Sequence, residues 1–337
     1  MIKKILAIVL VVAIVALASF KLFFSKGDIK KDIAKLGENV TSYHSEATMK
    51  LYVNDDKRVF YVTVDYQKGT TDQFRISLLD ENVNQEQIML KNAKGVFVLT
   101  PLVNQVYSFK GEYPLNETKP YLYHSIINAI KGDYTCEKLN DGYLITFVPK
   151  VSSQPSWIKE EVKLSKDLKP VFTSIYDVNN TLVCEVTFTK FELSTTYNAD
   201  FFEVETNMKA SQENVISSSK MASEEDLPLL PVSLSLTSEL KEQTSGKIDD
   251  VNVFILTYQG PKEFTIVQHI VTPSPTIEYK EVNGQIVDLT LGLGFYFSKA
   301  LSYLYNGVSY SIYSSSLTMA EMIDVANSLE VVIEKKR

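Results

Sequence analysis

Cysteine and histidine are scarce in this chain of 337 residues, which has two cysteines and three histidines. Cys136 and Cys184 cannot build a disulfide framework, and with His44, His124 and His269 they are too scattered for a zinc-binding pattern. Both cysteines lie in strand-like text, where a buried free thiol is the expected state. Glycine-rich phosphate loops are absent as well. Gly292-Leu293-Gly294 begins like a dinucleotide fingerprint, but Phe297 occupies the third glycine position and the surrounding text is strand-like. Positive charge is in deficit, with 34 Lys and Arg against 41 Asp and Glu, a net charge of -7. Setting aside Lys3, Lys4, Lys21 and Lys26 leaves the remainder more acidic still, which argues against nucleic acid as a partner.

No nucleophile elbow, P-loop or metal-binding histidine pair is present. Asp55-Asp56, Asp80-Glu81, Glu160-Glu161 and Asp249-Asp250 are adjacent carboxylates, whose strand neighbours face opposite sides and share no proton; they read as solvated turn charges. His44 and His124 read as ordinary polar residues. No catalytic residue, metal or cofactor is therefore expected, and the chain does not read as an enzyme.

What is present is apolar and aromatic. Lys3 and Lys4 precede an uncharged run from Ile5 to Phe20, and Leu22, Phe23 and Phe24 extend it past Lys21 to about the ~20 residues that cross a bilayer. Residues 1–26 thus read as a signal segment or single-pass membrane anchor, with the bulk of the chain extracytoplasmic; cleavage near Ala18 would make it secreted instead. No cysteine follows the run to carry a lipid.

Ile29, Ile33, Leu36 and Val40 then recur at helical spacing, with Asp28 placed as cap. From Tyr43 the period becomes two. β-branched and aromatic runs separated by turn text continue to Phe191, interrupted by a helix expected over Thr118 to Lys131, with Leu122, Ile126, Ile127 and Ile130 on one face and Gly132 as its stop. This predicts a mostly β fold before residue 205: a large curved antiparallel sheet of about eleven strands, with two covering helices. Residues 206–226, with Ser217-Ser218-Ser219 and Glu224-Glu225-Asp226, read as a linker. Residues 227–332 read as a small α+β domain with strands at Val251–Gln259, Phe264–Val271, Gln285–Leu291 and Gly307–Ser314. Its last helix is marked by a Thr318/Glu321 capping box, a Leu317/Met322 staple and a buried stripe of Met322, Val325, Ala326 and Leu329.

Several segments match one family in order. Gln73-Phe74-Arg75-Ile76, Lys94-Gly95-Val96-Phe97-Val98 with Pro101 and Gln105-Val106, Leu168-Lys169-Pro170-Val171, Phe188-Thr189-Lys190-Phe191 and Phe201-Phe202 resemble successive elements of the LolA/LolB-like lipoprotein-carrier superfamily. The likeness covers most of 28–205 and points to the Gram-positive sporulation and germination lipoprotein branch, apart from the missing lipid-bearing cysteine. Leu227-Pro228-Leu229-Leu230-Pro231, Leu256-Thr257-Tyr258-Gln259-Gly260 and Met319 to Leu329 resemble the small domain that follows LolA-like and anti-sigma regions in Firmicutes.

The resemblance implies an open half-barrel that binds a lipid, a lipoprotein acyl chain or another hydrophobic ligand. It equally admits a non-catalytic regulatory partner of an envelope enzyme, such as a cortex amidase, or of a sigma-factor signalling system. Phe60, Val62, Val64, Phe74, Ile76, Met89, Val96 and Val98 are the candidate cavity residues. Arg75 is expected either to aim at a lipid head group or to make a surface salt bridge. On the cavity reading, Phe74→Asp is expected to abolish ligand uptake, measured on the folded variant as bound acyl mass.

Overall fold

The computed structural model describes residues 30–329 apart from 33, 36, 54–55, 111–112, 116, 215–220 and 232–235. The Ile5–Phe24 run, the cleavage site near Ala18, Asp28 and Ile29 lie outside the described residues. The expected single-pass anchor is not supported: among the described residues no helix is long and apolar enough to cross a membrane.

Strands β1 (Ser42–Val53), β2 (Asp56–Gln67), β3 (Gln73–Asp80), β4 (Gln85–Asn92), β5 (Gly95–Thr100) and β6 (Gln105–Phe109) form an antiparallel meander. β7 (Tyr134–Leu139), β8 (Gly142–Phe147), β9 (Trp157–Ser165), β10 (Pro170–Asp177) and β11 (Leu182–Leu193) form a second, and β11 closes against β1. These are the eleven expected strands. The curved sheet has a twelfth, β15 (Glu278–Val282), which comes from the C-terminal region and pairs parallel to β6, so that the order runs β15-β6-β5-β4-β3-β2-β1-β11-β10-β9-β8-β7. Its two ends do not meet.

Each face of this sheet carries a helix. α1 is helical at 30–32, 34–35 and 37–39, and α2 spans Tyr123–Ala129 on the inner face. Gly37 is where the two helices approach: a Cβ there would stand 2.7 Å from Ile127 Cγ2. α2 starts later than its apolar spacing suggests, because residues 118–121 are held in a turn. Leu122 N donates to Lys119 O at 3.0 Å, and Lys119 N donates to Ser125 Oγ at 2.8 Å.

The outer face carries α3 (Val204–Asn214), most of which falls in the 206–226 text that reads as linker. Phe202, Val204 and Met208 pack there on Ile88, Leu90, Phe97, Leu99 and Val106. Strands β4 and β5 are thus covered on both sides, so neighbouring residues of both parities are buried along Ile88–Leu90 and Val96–Leu99.

The second sheet has seven strands in the order β12-β13-β14-β19-β18-β17-β16. β13 (Val251–Gln259), β14 (Phe264–Ile270), β16 (Gln285–Leu289) and β19 (Val308–Tyr313) match the expected runs. β12 (Glu239–Ile248), β15, β17 (Gly292–Phe297) and β18 (Ala300–Tyr305) do not stand out in the sequence. β12 is wholly exposed, so nothing selects for apolar alternation along it. α4 (Met319–Ser328) has the expected capping box, with Thr318 Oγ1 accepting from Glu321 N at 3.3 Å and Thr318 N donating to Glu321 Oε2 at 2.8 Å.

The two sheets dock through buried polar contacts. Arg58 Nη1 donates to Tyr305 Oη at 2.9 Å, and Tyr305 Oη donates to Asp80 Oδ2 at 3.1 Å. Asn306 N donates to Gln85 Oε1 at 2.7 Å and Leu293 N to Gln87 Oε1 at 2.8 Å. Lys119 Nζ pairs with Asp288. Gly292 sits at this junction with φ of +114°, and a Cβ on it would overlap the Gln87 side chain. Gly292→Ala is therefore expected to destabilise the protein by about 1–3 kcal/mol through backbone strain, read by urea denaturation, with Gly246→Ala, whose added Cβ meets nothing within 4 Å, as the insensitive control.

Candidate functional site

Eight of the nine candidate residues come together on the inner face. Phe60, Val62, Val64, Phe74, Ile76, Met89, Val96 and Val98 belong to one core cluster, and each is at most 2% exposed. Arg75 does not join them. Phe74 and Ile76 point inward, so period two turns Arg75 to the outer face. Burying an aliphatic or aromatic side chain contributes ~1.5–3 kcal/mol, whereas an exposed ion pair contributes ~0–1, so the apolar positions decide which way the strand faces.

The inner face is filled. Leu122, Ile126, Ile127 and Ile130 from α2 and its flanks pack into it, and Ile286, Leu293 and Phe295 from β16–β17 close it from the other domain. Among the described residues an apolar cavity of about 50 Å³ remains beside Met49, Leu51, Phe60, Leu78, Tyr121 and Trp157. Phe60 alone among the nine candidates lines it. Phe74 is fully buried against Tyr66 and His124, with ring centroids at 4.8 and 5.3 Å, so an aspartate there would charge a closed core and unfold it rather than report on uptake.

The inner core also holds titratable groups. His124 accepts or donates at 3.2 Å to Tyr43 Oη, and burial lowers its pKa to about 4. Since the unfolded imidazole takes up a proton near 6.5, stability from this group is lost as pH falls from 6.5 towards 4. Glu160, in strand text that reads as a solvated pair, is fully buried, and neither carboxyl oxygen has a hydrogen-bond partner among the described residues. It shares the inward parity of Val162 and Leu164, while Glu161 turns out and pairs with Lys159 at 3.3 Å. Burial pushes Glu160 up to about 8. Cys184, two strands away in the same row, is a free buried thiol whose pKa burial likewise raises.

The outer face carries a polar cluster that sequence reasoning did not assemble, because its members come from four strands and α3. His44 and His124 do not meet; they lie on opposite faces. His44 Nδ1 is 2.7 Å from Asp65 Oδ1 and Nε2 is 2.9 Å from Glu46 Oε1. Carboxylates only accept, so the ring bonds both only with a proton on each nitrogen, and the hydrogen bond it donates to Asp65 raises its pKa. Tyr197 Oη, which donates to Tyr43 O at 2.6 Å, also stands 3.2 Å from Asp65 Oδ1. Arg75 Nε donates to Asn207 Oδ1 at 2.6 Å and Nη1 to Thr63 Oγ1 at 3.2 Å, and Glu86 accepts from Ser77 and Ser211. All of these side chains but Glu46 and Tyr197 line a groove of about 640 Å³ between the sheet and α3.

Glu160→Gln is expected to leave stability unchanged at pH 4 and to raise it by several kcal/mol near pH 8, in urea melts across pH. The folded state keeps a proton that the unfolded carboxyl releases above 4.5, so wild-type stability declines from 4.5 to 8.

No protein-family model matches the chain. Among solved structures, the Pseudomonas aeruginosa MucA/MucB complex aligns over 91% of this chain and 98% of that one at 11% identity and a TM-score of 0.33. A Vibrio parahaemolyticus outer membrane lipoprotein-sorting protein domain aligns over 55% of this chain and 97% of its own at 13% identity and a TM-score of 0.32. By sequence, the chain is similar to the sporulation protein YdcC of Bacillus subtilis (strain 168), at 28% identity over 306 residues that make up 90% of each protein.

Proposed function

We propose that this is a non-catalytic binding protein that acts in sporulation through a protein partner. The filled inner face carries the reading. A cavity of about 50 Å³ holds a water or two, and small-molecule sites begin near ~300 Å³. An acyl chain has no room beside α2 while β16–β17 closes the face.

Two further observations support the partner reading. β12 is an edge strand whose ten residues are all exposed, and an unpaired edge is a template on which an extended segment of another protein can add a strand. The similarity to a sporulation protein along nine-tenths of the chain supports the process. A second reading, binding of a hydrophobic ligand, draws on the apolar lining of the residual cavity and requires the β16–β17 hairpin to leave the inner face.

Native mass spectrometry separates the two. Purified protein incubated with total lipid extract is expected to keep its apo mass, and the immobilised protein to capture a partner from sporulating cells that a Thr244→Pro variant of β12 captures less well. A reproducible adduct of acyl mass would transfer the weight to the hydrophobic-ligand reading.

A further inference from the structure

The outer-face groove takes no part in the partner reading, and its floor has an unusual arrangement of donors and acceptors. Its volume, about 640 Å³, falls within the ~300–1,000 Å³ of small-molecule sites. Thr63 and Asp65 of β2 and Arg75 and Ser77 of β3 make the floor, and α3 makes one wall.

Arg75 is anchored at one end only. Nε and Nη1 hold Asn207 and Thr63, whereas Nη2 makes only a long ion pair, 3.5 Å from Glu86 Oε1, among the described residues. Asp65 is nine-tenths buried and its Oδ1 accepts from His44, whereas Oδ2 accepts no hydrogen bond among the described residues. Arg75 and Asp65 therefore face one another in the groove as a long ion pair, Nη1 to Oδ2 at 3.8 Å, beyond hydrogen-bond distance.

The chemistry of that gap selects a ligand. An anion drawn to Arg75 meets Asp65 and Glu86, and a cation drawn to Asp65 meets Arg75 and the imidazolium of His44. A hydroxyl meets neither objection, because it accepts and donates at once. A hydroxyl beside this pair can accept from Arg75 Nη1 and donate to Asp65 Oδ2 at once.

Tyr61 adds the second half of such a site. It lies on the same face of β2 as Thr63 and Asp65, lines the groove, and is 47% exposed, so it offers an aromatic face with a polar tip. A sugar ring has both faces needed here, a C–H face to lie on an aromatic ring and adjacent hydroxyls at its edge. We propose that this groove binds a neutral, hydroxyl-rich carbohydrate, stacked on Tyr61 and hydrogen-bonded across Arg75 and Asp65.

Isothermal titration calorimetry of the full chain tests this with glucose, N-acetylglucosamine and its β-1,4-linked trimer as probes. Saturable binding of at least one sugar is expected. Tyr61→Ala, a change at an exposed ring that leaves the melting temperature in place, is expected to weaken it about tenfold or more. Arg75→Gln is expected to weaken it likewise, and Phe297→Ala, an equally exposed ring on the other sheet, to leave it unchanged. The proposal is overturned if none of the three sugars saturates, if binding survives Tyr61→Ala, or if glucose 6-phosphate binds more tightly than glucose.

Discussion

A large sheet with one apolar face is soluble only when that face is covered, and the rest of this structure follows from how the cover is made. α2 fills the middle of the inner face, but a seven-residue helix cannot span a sheet of twelve strands. The remainder is closed by Ile286, Leu293 and Phe295 of the second domain. That domain is held in place by β15 pairing along β6 and by Arg58, Asp80, Gln85, Gln87 and Lys119, which meet Tyr305, Asn306, Leu293 and Asp288. Buried polar contacts of this kind add modest net stability but punish misplacement, because a partner removed leaves a desolvated group unsatisfied. They fix the register in which the apolar cover seats.

The same cover decides what kind of binding the fold supports. An uncovered inner face would be an apolar trough, whereas the covered one is a core. Exchange with partners is then left to the outside of the molecule: the free edge at β12 and the outer-face groove beside α3. The two faces differ sharply in chemistry. The inner one buries a lone carboxyl at Glu160 and keeps it protonated well above the ordinary carboxylate range, while the outer one gathers His44, Asp65, Arg75 and Glu86 into a mutually neutralising set.

Glu160 and Arg75 show how the face of a charged strand residue is decided. Both sit in alternating strands, and in both the face is set by hydrophobic neighbours, two residues away on the same face for Glu160 and adjacent on the opposite face for Arg75, not by the charge itself. Val162 and Leu164 carry Glu160 inward despite its charge, and Phe74 and Ile76 carry Arg75 outward. Adjacent carboxylates at 160 and 161 thus end in a fully buried and a solvent-facing site, which composition cannot distinguish.

The sequence by itself determined the local elements: period two from Tyr43 to Phe191 specified the eleven strands, Leu122, Ile126, Ile127 and Ile130 the face of α2, and Thr318 with Glu321 the start of α4. These are interactions between residues close in the chain, so their signals are local. It also determined which residues would be buried together, since eight of the nine candidates share one core. Tertiary structure alone decided whether that core would be an open cavity or a filled one, because the closing side chains come from β16–β17, about two hundred residues downstream of the strands they cover. It alone made a strand of Glu278–Val282, whose pairing partner is β6, a helix of Val204–Asn214, whose apolar residues find their counterpart only on the outer face, and a polar groove of residues drawn from four strands and α3. Each of these depends on contacts between distant segments, for which the local pattern carries no period.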